Sequence, residues 1–250
     1  MQGDPLAMIA YRIRILPLIK NIKRDIPDVT QPWYVDNAGA LDTFARLETY
    51  FDSMTRQGPR QEYRPDTNKS VLIVRPDNLE TGKVFGARHR FRMCTGARYL
   101  GGYIGDDESK RDLLRERTLT WKKNTKNIRK TAGKYTQESY DAVVRAIQSE
   151  WIFLQRVTWD TGDSFAGVEK MIRETFLPRI FFGKIKTLSP AVGSLSKMPV
   201  NKYGLGIPNL VTSAQEKYLR STQGSAELVR AMTGGGELPN ADHIWTLSEE

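Results

Sequence analysis

The chain has 250 residues, 39% of them hydrophobic, which is enough to bury at least one substantial core. Lys and Arg number 38 against 29 Asp and Glu, and the resulting net charge of +9 favours polyanionic partners, with nucleic acid first among them. A single cysteine, Cys94, excludes an internal disulfide, and with only His89 and His243 beside it the ligands for a structural zinc site are too few.

The start "MQGDPLAM" places no basic residue ahead of an apolar block, so no targeting segment is recognisable and a nuclear or cytoplasmic setting is the expectation. The most hydrophobic stretch, "PLAMIAYRIRILPLI", carries Arg12 and Arg14 and is too short to span a bilayer.

Asp4 followed by Pro5 reads as a helix cap, and Leu6, Ile9, Ile13 and Leu16 follow at helical spacing. Pro17 predicts a kink or an end to that helix. In "WYVDNAGAL" apolar residues flank a turn expected at Asp36 and Asn37, both of which tolerate left-handed backbone. Leu41, Phe44, Leu47, Phe51 and Met54 predict a second helix, closed by Gly58 and Pro59.

"SVLIVRP", "KVFGARHRFRMCTG" and "ARYLGGYIG" predict a small sheet. Residues 110–134 then hold ten Lys or Arg and two acidic residues, with Leu114, Trp121 and Ile128 seven apart. That pattern is a helix with one apolar seam and a basic remainder, either a solvated face or a phosphate-tracking one. Tyr140, Val143, Val144, Ile147, Trp151 and Leu154 predict another helix, and Phe165, Val168, Ile172 and Phe176 a third that stops at Pro178. A last helix is expected over 211–232, weak at Gly224, before "TGGGELPN" breaks it. The fold class is α+β, mixed at first and helical afterwards.

Simple enzyme motifs fail. His89 and Cys94, five apart, would face opposite sides of a strand, with no third group to orient the histidine. "GLGIPN" lacks the third glycine of a dinucleotide loop and has Pro208 where a helix should open, so a turn is expected; "TGGGE" lacks the Lys and Ser/Thr of a phosphate loop.

Four stretches in order, "QGDPLAM" (2–8), "WYVDN" (33–37), "PDTNKSVLIV" (65–74) and "YLGGYIG" (99–105), resemble the second half of a reverse-transcriptase palm, closest in look to the RNA-directed DNA polymerases of non-LTR retrotransposons. "MPVNKYGLGIPNL" (198–210) resembles a segment of the helical thumb and connection downstream of that palm. The resemblance implies a partial palm over 1–105, a small antiparallel sheet with helices, and an all-helical thumb-like region over 106–250.

It also implies roles. Gln2, Gly3 and Pro5 would lie in a turn and helix start beneath nucleotide and template, the other reading being a plain capped helix. Tyr34 and Asp36 match the metal-binding box of the family, in which two adjacent aspartates and an upstream one organise two Mg²⁺ (or Mn²⁺) ions for nucleotidyl transfer. Asn37 stands where the second aspartate belongs, and only Met1 precedes the Gln2 stretch, upstream of which the family carries its other aspartate and its fingers. The expectation is therefore a catalytically inactive fragment that binds no metal productively, with a sheet edge prone to association.

Lys69 matches a lysine near the nucleotide triphosphate, or is a solvated lysine before a strand. Tyr99, Leu100, Gly101 and Gly102 match the hairpin that grips the primer end, or form a sheet-edge bulge. The basic residues of 110–134 would lie along an RNA or DNA template–primer duplex. The alternative reading is a non-catalytic basic nucleic-acid-binding protein that uses the helical region alone.

Overall fold

In the computed structural model, which describes residues 6–35, 37–183 and 187–234, the first helix, α1 (Ala7–Asp25), continues through Pro17 instead of ending there. The proline removes the donor to the carbonyl of Ile13, and that turn faces solvent. Ile15, Leu18 and Ile22, on either side of it, are buried together with Val29, Tyr50 and Met54. Burying each such side chain stabilises by about 1.5–3 kcal/mol, more in sum than the proline costs. The expected apolar stripe is not the buried one: Leu6, Ile9, Ile13 and Leu16 are exposed.

Strands β1 (Trp33–Tyr34) and β2 (Asn37–Ala38) pair with Trp33 opposite Ala38 and Tyr34 opposite Asn37. Asn37, expected in the turn, is therefore a strand residue, while Asp36 lies outside the described residues. Trp33 packs edge-on to Tyr63 at 5.5 Å in this register, and a one-residue slip would swing it to the other face. Helix α2 (Phe44–Gln57) begins after Thr43, and Leu41, expected in its stripe, is exposed and bridges Thr30 instead.

Strand β3 (Val71–Ile73) pairs in parallel with β4 (Arg92–Cys94), so this sheet is not antiparallel as expected. A parallel pair needs a crossover, and α3 (Leu79–His89) supplies it from the segment "KVFGARH" predicted as strand. Gly82 sits so close to β3 that an added Cβ would lie 2.8 Å from Val74. His89, at the end of α3, is nested among Phe51, Phe85 and Phe91, which accounts for it without Cys94.

The chain divides into two units, Met1–Thr95 and Gly96–Glu250, so the hairpin of β5 (Gly96–Tyr99) and β6 (Gly102–Gly105) belongs with the helices that follow. Helix α4 (Asp107–Thr131) is capped by the Asp106 carboxylate on Ser109 N–H at 2.9 Å. It buries Leu114 and Trp121 of the expected seam, with Ile128 half-buried, and adds Thr118 and Thr125 between them.

One helical run follows as α5 (Thr136–Asp141), a π-helical segment Ala142–Ile147, and α6 (Gln148–Val157). Another comprises α7 (Ala166–Met171), a second π segment Ile172–Phe176, and α8 (Leu177–Phe182). Pro178 does not stop it, because the wider turn just ahead accommodates the missing donor. Trp121 stacks on Phe165 at 5.7 Å and meets Trp151 edge-on at 6.2 Å, forming the centre of this core.

Helix α9 (Pro190–Lys197) has no counterpart in the sequence reading. Helix α10 (Ser213–Gly234) is continuous through Gly224, which is buried, so the glycine serves close packing and is no weak point. Most of "TGGGELPN" lies outside the described residues.

Candidate nucleic-acid interface

Gln2, Gly3, Pro5 and Asp36 lie outside the described residues. Around them, Tyr34 is half-exposed, and Val35 holds a φ of 55°. A β-branched side chain in that left-handed region is a backbone outlier that only a tightly determined turn maintains. Lys69 projects into solvent beside Asp66, their charged atoms 3.4 Å apart, in the turn before β3.

The β5–β6 hairpin turns on Leu100 and Gly101, with φ of 48° and 88°. Two consecutive positive φ values match the right-handed twist of the strands they join. A Cβ on Gly101 would come within 2.5 Å of the Phe153 ring, and one on Gly102 within 3.2 Å of Val157. Gly101 is thus required by the seat of the hairpin on α6, and Gly102 fits closely there. The Tyr99 hydroxyl is buried with no hydrogen-bond partner among the described residues, and burial pushes its pKa above the ordinary value.

Helix α4 carries the charge. Arg111, Arg115, Lys122, Lys126 and Arg129 recur at offsets of 4, 11, 15 and 18 residues, which at 3.6 residues per turn places them in one row beside the buried seam. At 1.5 Å per residue the row is about 27 Å long. None of the five side chains forms an ion pair or hydrogen bond with a described residue, although surface cations elsewhere in the chain are commonly paired. Lys122 lies over Gly167 of α7, whose missing side chain leaves room for the ammonium. Lys110, by contrast, is buried against Trp159 and bonded to Asp107 at 2.8 Å, so it belongs to the core.

No protein-family model, curated protein or solved structure matches the chain. The site is therefore interpreted from its own chemistry.

"GLGIPNL" (204–210) is a buried strap. The Tyr140 hydroxyl donates to the carbonyl of Leu205 at 2.7 Å, Gln148 to Gly206 at 2.8 Å, and Gln155 to Leu210 at 2.7 Å. Arg173 donates to the carbonyls of Ile207 and Pro208, at 2.7 and 3.0 Å. The Leu210 N–H reaches the Glu169 carboxylate at 3.0 Å, and the Asn209 side chain caps α10 through the N–H groups of Val211 and Thr212. An extended segment without strand partners must satisfy its backbone somewhere, and here helix side chains do it. The expected turn is thus a structural joint of the helical unit.

The sequence reading passed over Lys217, half-buried and bonded to Gln155 at 2.9 Å and Ser213 at 2.8 Å. Burial lowers its pKa to about 8, with the neighbouring Glu216 charge acting the other way. A lysine at this spacing on an amphipathic helix carries no mark that separates it from a solvated one.

Among the described residues, which do not include Asp36, no three His, Cys, Asp or Glu side chains gather into a group that could hold a metal ion. Among the same residues no helix is long and apolar enough to cross a membrane.

Proposed function

We propose that this chain is a palm-and-thumb-like piece of the reverse-transcriptase type that engages a template–primer duplex through its helical unit, without itself performing nucleotidyl transfer. The observation that carries the proposal is the row of five cations on α4 that pair with no described residue. A straight row of fixed positive charges suits a regular polyanion, since each neutralised phosphate releases condensed counterions. Leaving such a row unpaired destabilises the free protein through self-repulsion, which a solvated face has no need of.

The strained turn at Val35, the turn that carries Lys69 and the β5–β6 hairpin fall on three of the stretches that carry the resemblance, in chain order. The first two support a palm-like reading of the first unit, although the parallel pairing of β3 with β4 departs from the antiparallel sheet the resemblance implies. Asn37 argues against catalysis by this hairpin, because a hard divalent cation needs carboxylate oxygens there.

The test is equilibrium binding of the full chain to an RNA–DNA hybrid duplex across a salt series. Five phosphate contacts predict a log–log slope of about −4.5, and Lys122→Gln/Lys126→Gln/Arg129→Gln should flatten it by about 2.7, as roughly −0.9 per contact. A slope unaffected by the triple variant would refute the assignment of the row. Primer extension with Mg²⁺ or Mn²⁺ checks the second half: incorporation that vanishes in Asp36→Ala would show the hairpin to be a working metal turn.

A further inference from the structure

Across the buried seam of α4 from the basic row, the helical unit contains a cleft of about 290 Å³ between the β5–β6 hairpin, α4 and α6. Arg98 and Arg117 stand at it, and neither guanidinium forms an ion pair or hydrogen bond with a described residue. Phe153 lines it with a ring that is 46% exposed. The indole of Trp121 closes the floor and donates its Nε1–H to Glu150 at 2.8 Å, which fixes that carboxylate within the lining. Gly101 matters here too, since any side chain at that position would collide with the Phe153 ring.

We infer that this cleft binds a single unstacked nucleotide, its phosphate on Arg98 and Arg117 and its base on the Phe153 face. Three demands made by the lining select that class of ligand. Two guanidiniums without counter-ions call for an anion, and their planar forks suit phosphate. An exposed aromatic ring in a concave site calls for a flat partner, and base–aromatic stacking tolerates any base. Glu150 adds an acceptor for a base amine or sugar hydroxyl, which inorganic phosphate and simple aromatic acids do not satisfy together. The volume lies at the small end of ligand pockets and suits one nucleotide rather than a duplex.

The inference goes beyond duplex tracking and does not depend on it, because it uses none of the five residues of the row. Titration of the full chain with adenosine 5′-monophosphate, followed by Trp fluorescence and by amide shifts, should show saturable binding. Arg98→Gln and Arg117→Gln, both at accessible positions, should each weaken it about tenfold, and Phe153→Leu should weaken the nucleotide but not inorganic phosphate. The triple α4 variant should bind the nucleotide unchanged. Absence of saturable nucleotide binding overturns the proposal even if the duplex still binds. So does phosphate binding as tightly as the nucleotide, or a Phe153→Leu variant that leaves the nucleotide unaffected. Nucleotide binding that persists when the duplex fails to bind supports the cleft and overturns only the reading of the row.

Discussion

Gln155 Nε2 donates to the carbonyl of Leu210 at 2.7 Å, both residues being fully buried, while the Oε1 of the same amide accepts from Lys217 at 2.9 Å. One side chain thereby joins α6, the strap and α10. Gln155→Leu keeps the volume but leaves a buried carbonyl and a half-buried ammonium unmatched. The expected loss is about 2 kcal/mol, read as a lower urea midpoint with an unchanged slope. An unaltered midpoint would mean that the strap is held by its apolar residues alone.

Arg173 and Glu169 form the second fastening of the strap, 2.8 Å apart and nearly enclosed. Arg173→Met would strand the carboxylate and two carbonyls, and the expected cost is about 3–5 kcal/mol. Adding Glu169→Gln should recover part of it, since the remaining group is then neutral and still near the Leu210 N–H. A double variant less stable than Arg173→Met would contradict an electrostatic origin.

Gly101→Ala meets two obstacles, the φ of 88° and the Phe153 ring. A destabilisation of about 1–3 kcal/mol is expected from thermal unfolding. In a Phe153→Ala background the cost should shrink to the backbone part alone. Equal costs in both backgrounds would place the ring further from the turn than it stands here.

Lys217 makes stability depend on pH. Its pKa is lowered to about 8 in the folded protein, chiefly by burial, against an ordinary 10.5. Below about 8 both states hold the proton and the burial penalty is fully present. Between about 8 and 10.5 the unfolded chain binds more protons, so the folded state gains stability as pH rises. The melting temperature of the wild type should therefore rise relative to Lys217→Met across that window. Parallel curves would show that the ammonium is solvated in the folded state.

Where the local pattern and the core agreed, the elements were legible. The seam Leu114, Trp121 and Ile128 and the series Val143, Ile147, Trp151 and Leu154 were readable because burial on one face is what creates helical periodicity. The β5–β6 hairpin was indicated by the resemblance alone, since its paired glycines suited a sheet-edge bulge equally well. The segment "KVFGARH" was not, since short apolar runs suit strand and helix alike and the parallel pairing of β3 with β4 decided between them. The two prolines misled for a related reason. Pro17 and Pro178 each remove a backbone donor, yet each helical run is held by buried residues on both sides of the proline.

By itself the sequence determined the excess of positive charge and its concentration on one helix, because these depend only on residue type and helical spacing. Only the tertiary structure decided which cations are spent inside the core, as Lys110 is, and which stand on the surface with no partner among the described residues, as Lys126 does. It alone brought Arg98, Arg117 and Phe153 to one cleft and turned "GLGIPNL" from a loop into a strap. The physical reason is that burial and hydrogen-bond partners come from residues distant in the chain, which spacing along one segment cannot encode.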